Sequence, residues 1–396
     1  MKKLRWWRIL FFAISFAAGL LFCLQGAEAA DRKTQFTQKL LDGYQSFAKT
    51  VDVKSMELSV NSSGDRKIIE QAMETVLNET AYLFYAGREF SVISDVQTGR
   101  ILRVKLTYDE RYLSGSSVNV AKIRRVRSQL DSKMSAILNK LKPGMSDVEK
   151  ALILHDHLAR TTVYTDSSNA PYRISEEGAL LKKKANCNGY SLAYMALLER
   201  AGIEAKCVVS ESMEHMWNLV KIDGAWYHVD VVWDAPLSIL NKKNMYGYVC
   251  HDNFLLSDAA IREMGHRGFR ASASGTKYDN MYWRRSDSSF WYQNGAYYYA
   301  DNRGIYVRDR IDSGSAKRLI KGKMLCFVRQ RGNKFLGISG NKIFRFDVKS
   351  RKKKAVYKPP KKTRLIQLKC GSRKMYFRYA KGRKVYTKSK KLKKSY

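Results

Sequence analysis

Two alternating apolar runs, Glu214 to Ile222 and Ala225 to Trp233, meet at Asp223-Gly224. Asp-Gly between such runs is the strongest short hairpin signal, because a type I′ turn needs positive φ at both central residues. A two-residue loop also fixes register: Ile222 pairs with Ala225, and counting outward Trp217 faces Asp230 and His215 faces Val232. Parity then sets His215 and Asp230 on one face as diagonal neighbours, within side-chain reach. A carboxylate beside an imidazole is what a general base needs to fix its tautomer and orientation. The opposite face, Met216, Val220, Ile222, Tyr227, Val229 and Val231, is apolar and turns toward a core. The argument holds for an unbulged turn.

Upstream, Asn186-Cys187-Asn188-Gly189-Tyr190-Ser191 opens a helix that continues through Leu192, Ala193, Ala196 and Leu197 to Ala201-Gly202. Gly202 is a natural stop. A thiol at a helix N-terminus faces unpaired N–H groups and the positive end of the dipole, which favour the nucleophilic thiolate. The same N–H groups suit a developing oxyanion. This stretch alone fits a buried inert cysteine equally well.

Together these stretches are specific. Cys187-Asn188-Gly189-Tyr190-Ser191, His215-Met216-Trp217-Asn218-Leu219-Val220 and Gly224-Ala225-Trp226-Tyr227-His228-Val229-Asp230, followed by Trp233-Asp234, resemble the transglutaminase-like superfamily in its bacterial exported form. The resemblance covers about residues 146–260, including Asn253-Phe254-Leu255-Leu256. It implies an α+β, papain-like core, a Cys-bearing helix packed on an antiparallel sheet, with Cys187 as nucleophile, His215 as base and Asp230 as orienting carboxylate. Relatives often carry glycine and a small apolar residue where this chain has Lys184-Ala185-Asn186, a difference that bears on substrate preference. The implied reaction is thiol acyl transfer on protein or peptide amides, ending in hydrolysis or transamidation. Neither a metal nor a cofactor is implied.

Other candidates are weaker. His155 and His157, two apart on a helix, point to different faces and suggest neither a dyad nor a metal pair. His228 shares the triad face but reads as a packed or rim histidine. Trp217 and Trp226 are core residues or walls of a groove. Cys207, in the apolar strand Ala205–Val209, reads as a buried free thiol. No Cys-x-x-Cys or Cys/His ligand spacing occurs, which argues against structural zinc.

Residues 1–29 read as a signal peptide: Lys2, Lys3, Arg5 and Arg8, an apolar run from Ile9 to Leu24, then Ala27-Glu28-Ala29. The run is short for an uncleaved membrane anchor. Cleavage leaves five cysteines of the six in the chain, an odd number for an oxidising compartment, so at least one thiol stays free. Residues 30–145 form an α/β region, with a helix from Ile69 to Leu83 and paired strands over Glu89–Ser94 and Arg100–Tyr108. Val120, Ile123, Val126, Leu130, Met134, Ile137 and Leu141 recur as one helical ridge. The catalytic domain spans 146–270 and opens with a capping box, Ser146 and Glu149, on a helix running to about Arg160.

From 276 to 396 the texture is short aromatic strands and Gly turns. Tyr298–Val307, Phe335–Phe346 and Met375–Tyr386 each read as strand, turn, strand. A spacing near 40 residues resembles propeller blades or a β-repeat array, though three units are too few to close a propeller. Residues 321–396 hold 28 Lys and Arg against one acid, Asp347, a formal +27; the preceding 320 residues carry only +10. Such a field attracts polyanions. For an exported protein, secreted or extracytoplasmic, these are anionic cell-envelope polymers or lipid head groups, with nucleic acid second because no recognition module is legible. A catalytically idle scaffold that binds through this region is the competing reading.

Overall fold

A computed structural model describes residues 28–392, apart from 79, 236, 239–242, 245, 246, 372 and 373. All but the last two residues of the expected leader lie outside the described residues. The chain forms two compact units, one ending at Arg125 and one beginning at Val126.

The first unit contains helix α1 (residues 28–45), strand β1 (Thr50–Asp52), helix α2 (Ser63–Asn78), and strands β2 (Ala86–Ser94) and β3 (Ile101–Tyr108). The strands form an antiparallel sheet in the order β1-β3-β2, so the expected strand pair is present. The helix expected at Ile69–Leu83 is displaced toward the N-terminus. Its first turn, Ser63-Gly64-Asp65, has no apolar residue to signal it; instead the Ser62 hydroxyl accepts the Asp65 N–H at 3.2 Å.

Helix α3 (Val120–Leu138) runs from the first unit into the second. Ile123, Val126, Leu130, Met134 and Ile137 of its expected ridge are buried, while Leu141 lies beyond its end. Helix α4 (Asp147–Thr161) opens with the capping box: Ser146 Oγ accepts the Glu149 N–H and Glu149 Oε2 accepts the Ser146 N–H at 2.9 Å. Helix α5 (Cys187–Arg200) packs on an antiparallel sheet ordered β7-β6-β5-β4, made of β4 (Ala205–Ser210), β5 (His215–Ile222), β6 (Ala225–Val229) and β7 (Phe254–Leu256). Helix α6 (Asp258–Glu263) follows.

The β5–β6 register is the one that the turn dictates, from Ala225 opposite Ile222 to Val229 opposite Asn218. Asp223 and Gly224 have φ of 51° and 80°, as a type I′ turn requires. Polar bonds tie α5 to β5: Ser191 Oγ donates to the Met216 carbonyl at 3.0 Å and Asn218 Nδ2 to the Ser191 carbonyl at 3.1 Å. Tyr194 on α5 donates to the Ala151 carbonyl of α4 at 3.0 Å.

The C-terminal region is three antiparallel sheets whose strands follow in chain order. Trp291–Gln293, Ala296–Asp301, Gly304–Arg308 and Lys317–Lys321 form the first; Cys326–Arg331, Lys334–Ser339, Lys342–Asp347 and Lys353–Tyr357 the second; Arg364–Cys370, Lys374–Lys381 and Lys384–Lys391 the third. Each expected strand-turn-strand piece is a hairpin of one sheet. Successive sheets share apolar clusters: Phe327 and Phe335 pack with Ala300 and Ile305, and Val328 and Leu336 with Leu368 and Phe377. No helix among the described residues is long and apolar enough to cross a membrane.

Candidate active site

The helix start that carries Cys187 is built by its neighbours. Asn186 caps it, its side chain accepting the Gly189 N–H at 3.4 Å, and its own N–H donates to the Arg173 carbonyl at 3.0 Å. Gly189 is required here, since a Cβ would lie 2.3 Å from the Arg173 carbonyl oxygen and 2.8 Å from that of Ser175. Lys184-Ala185 is a two-residue strand paired with Val163-Tyr164. Cys187 is 6% exposed, and its Sγ lies 3.5 Å from Asn188 Oδ1 and 4.0 Å from the Glu214 carbonyl. That carbonyl belongs to the residue before His215, so helix start and strand start meet.

The structure brings the three expected residues together. His215 Nε2 donates to Asp230 Oδ2 at 2.7 Å, and the Cys187 thiol lies close enough to the ring to raise its pKa. Burial pulls the imidazole pKa down, but Asp230 and Cys187 outweigh it and hold it at about 10. Burial likewise raises the Asp230 carboxyl, and His215 and a second imidazole, His266, pull it back to about 2. Asp230 is fully saturated: Oδ2 also accepts from His266 Nε2 at 2.9 Å, while Oδ1 accepts the N–H groups of Val232 at 2.8 Å and Trp233 at 3.1 Å. The Asp230 carboxylate is an anion clamped by four donors.

Two indoles adjoin His215, with ring centroids 5.7 Å from Trp217 and 5.7 Å from Trp233, both near parallel to it. Trp217 is buried and Trp233 is 41% exposed, so the outer wall of the imidazole is also a surface a substrate can touch. Trp217 Nε1 donates to His228 Nδ1 at 2.9 Å, and His228 Nε2 meets Asp258 at 2.8 Å. His228 therefore holds a wall of the site, as a packed histidine. Trp226 instead packs at the edge of a core cluster, under the Lys206 and Lys221 ammonium groups. Cys207 is buried and in no disulfide, its sulfur accepting from Asn218 Nδ2 at 3.8 Å.

A second buried network holds the loop after Asp230. Asn253 donates its backbone and side-chain N–H to Asp234 Oδ1, each at 3.0 Å, and its carbonyl accepts the Asp230 N–H at 2.9 Å. His155 on α4 bonds Asp234 Oδ2 and Asp156 Oδ1, both at 3.1 Å; Asp156 Oδ1 also meets His251 Nε2 at 2.8 Å. Burial lowers the His155 pKa, but the two carboxylates raise it to about 9. His155 thus pairs with acids and, through Asp156, with His251 rather than with His157. Two groups, His155/Asp156/His251 and His215/Asp230/His266, bring ligand-type atoms within 4.8 Å of one another. In both, those atoms already hydrogen-bond across a shared carboxylate oxygen.

Sequence reasoning missed His266 and Tyr164, and placed Trp233 in the motif without a role. The one signal for His266 is its setting, Gly265-His266-Arg267-Gly268, where both glycines take positive φ. Tyr164 lies close enough to Cys187 and Asp230 that both, after burial and Asp166, push its phenol upward.

An antiparallel sheet with a helix-borne thiol facing a clamped His–Asp pair is the architecture of papain-like thiol chemistry. A sequence model of the transglutaminase-like superfamily matches residues 135–231, the segment that carries α4, α5 and the β5–β6 hairpin. Among solved structures, one titled as a TGase is similar at 17% identity and a TM-score of 0.26, covering 43% of this chain and 48% of its own. The N-terminal domain of Nup159 is similar at 5% identity and a TM-score of 0.22, covering 47% of this chain and 44% of its own. This chain thus spans less than half the length of either. No curated protein matches it.

Proposed function

We propose that the chain is a thiol-dependent acyl-transfer enzyme acting on peptide or protein amides. Cys187 Sγ attacks the amide carbonyl, forming the C–S bond. His215 Nδ1 carries the thiol proton and delivers it to the departing nitrogen as the C–N bond breaks. Water or a primary amine then attacks the acyl-enzyme, His215 takes its proton, and the C–S electron pair returns to sulfur. Asp230 keeps Nε2–H in place throughout. The observation that carries this reading is the 2.7 Å His215–Asp230 bond on an imidazole that also meets the Cys187 thiol.

The reading extends to location: the Lys2-to-Ala29 leader suits export, and the +27 of residues 321–396 suits retention on anionic envelope polymers. Alkylation with iodoacetamide near neutral pH, read by mass spectrometry, tests the enzyme. Cys187 should label far faster than the other thiols. Burial pushes Cys250 strongly up, Cys326 to about 12 and Cys370 to about 11, and Cys207 is enclosed. His215→Ala should remove the advantage. Uniform labelling across the five thiols would leave only a binding scaffold.

A further inference from the structure

Away from His215 and Cys187, α4, the segment before it and the C-terminal sheets border an open cavity of about 510 Å³. That lies within the roughly 300–1,000 Å³ of small-molecule sites. Its lining carries four cations, Lys140, Lys142, Arg160 and Arg329, and a single acid, Asp156. The acid is already engaged: Oδ1 meets His155 and His251, and Oδ2 accepts the Phe290 N–H at 2.6 Å. Among the described residues, no other carboxylate lines the cavity to balance the cations.

The positive field is concentrated further behind the wall. Lys140 Nζ lies 2.8 Å from His157 Nδ1, an ammonium donor on a neutral imidazole. Burial and then Lys140, Arg160, Lys133 and Lys183 drive the His157 pKa down to about 2. Lys140 itself is lowered to about 8, by loss of water around its ammonium and then by Arg160 and Lys133. Like charges gathered without counter-charge work against folding, and perturbed groups of this kind cluster where a ligand completes the site. Arg160 is held in a fixed plane, its guanidinium 4.4 Å from the Trp291 ring and its Nη1 donating to Ser289 Oγ at 3.0 Å. A fixed guanidinium fork beside two ammonium groups matches the oxygens of a dianion.

We propose that this cavity binds a phosphate group carried on a polyol or sugar framework, the four cations taking the phosphate and Tyr292, Gln293 and Asn294 contacting the framework. The site does not depend on the thiol chemistry and uses none of its residues. Calorimetric titration of the full chain with glucose 6-phosphate, inorganic phosphate and glucose tests it. Glucose 6-phosphate should bind at least tenfold more tightly than inorganic phosphate, and glucose should not bind. The double variant Lys140→Gln/Lys142→Gln and the single variant Arg329→Gln, all in the lining, should each lose tenfold or more in affinity. Without ligand, the double variant should unfold at the same or a higher temperature, because like charge has been removed. A control variant, Lys352→Gln/Lys353→Gln/Lys354→Gln, should keep full affinity. Wild-type affinity in either cavity variant, loss in the control, or equal binding of phosphate and glucose 6-phosphate would overturn the proposal.

Discussion

Two buried clusters of the same composition, His215/Asp230/His266 and His155/Asp156/His251, lie in the same domain and share a motif: one carboxylate oxygen between two imidazoles. They differ in what the leading imidazole has left over. Both nitrogens of His155 are engaged by carboxylates, and its side chain is fully enclosed. His215 has one nitrogen engaged by Asp230, a thiol close by, and a side chain 9% exposed beside a partly exposed Trp233. The same three residue types therefore make a closed joint in one place and, in the other, a cluster whose leading ring is partly exposed beside a thiol. What separates them is the second neighbour of one ring.

The strongest break of that comparison is Asp230→Asn. An amide cannot hold His215 as the carboxylate does, so acyl transfer should fall on the order of 10⁴-fold, as in the serine-protease parallel. Circular dichroism should show the fold retained. Full activity in this variant would mean that another group orients His215. The matching substitution in the closed cluster, Asp156→Asn, should act on stability instead. Removing one partner of a buried charged pair costs about 3–5 kcal/mol, read in a denaturant melt. Folded Asp156→Asn protein should alkylate Cys187 at close to the wild-type rate; a drop like that of Asp230→Asn would make the two clusters one functional unit.

A smaller effect separates the two imidazoles on Asp230. His266→Asn leaves Asp230 anionic but one donor short, so the rate should fall about tenfold, or ~1.4 kcal/mol. As a positioning effect it should also shift the pH profile of alkylation, which loss of packing alone would not do. An unchanged profile would make His266 merely a packed residue.

The pH dependence of stability sharpens the same contrast. His155 and His215 are raised from an ordinary 6.5 to about 9 and about 10. A raised imidazole stabilises the fold fully below its unfolded value, and that contribution is lost as pH climbs through the folded value. Unfolding free energy should therefore fall between pH 6.5 and about 9–10, by up to ~1.4 kcal/mol per pH unit for each group. Asp230, lowered from 3.8 to about 2, acts at the other end: its contribution is present above pH 3.8 and lost toward pH 2. His155→Gln should flatten part of the alkaline slope. A wild-type curve level from pH 6.5 to 9 would show that neither ring is held charged by its acids.

The open cluster was legible in sequence because a two-residue turn propagates its register over one hairpin, carrying His215 and Asp230 to one face with no long-range information. The capping box at Ser146 and the helix start at Cys187 are equally local. The closed cluster was not legible, since Asp156 and His251 are 95 residues apart and their bond depends on how α4 meets the loop before β7. His266 is hidden for the same reason, reaching Asp230 from 36 residues downstream. Polar residues on an amphipathic helix read as solvent-facing, so His155 and Asp156 gave no sign that they are buried. Periodicity reports burial of apolar residues and is silent on buried charge.

The smallest expected effect concerns the basic sheets, which differ from both clusters in carrying their charge outward. Arg351, Lys352, Lys353 and Lys354 are exposed, as is nearly every residue of the final strand, Lys384–Lys391. Lysines on such an edge also discourage pairing with another chain, so their charge has a structural use besides any partner. Deleting the region at residue 276 would sever the Phe290–Asp156 and Ser286–His251 bonds that buttress the closed cluster. Point replacement is the cleaner test. Replacing residues 351–354 with Gln should change stability by no more than about 0.5 kcal/mol and leave Cys187 alkylation unaltered. Sedimentation with anionic envelope material should weaken, and wild-type retention should fall steeply with salt, because exposed charge reaches only about 10 Å at 0.1 M. Retention indifferent to salt and to these four residues would move the attachment surface elsewhere. A change in alkylation rate would instead show that the reactive cluster depends on charge carried by the outermost sheets.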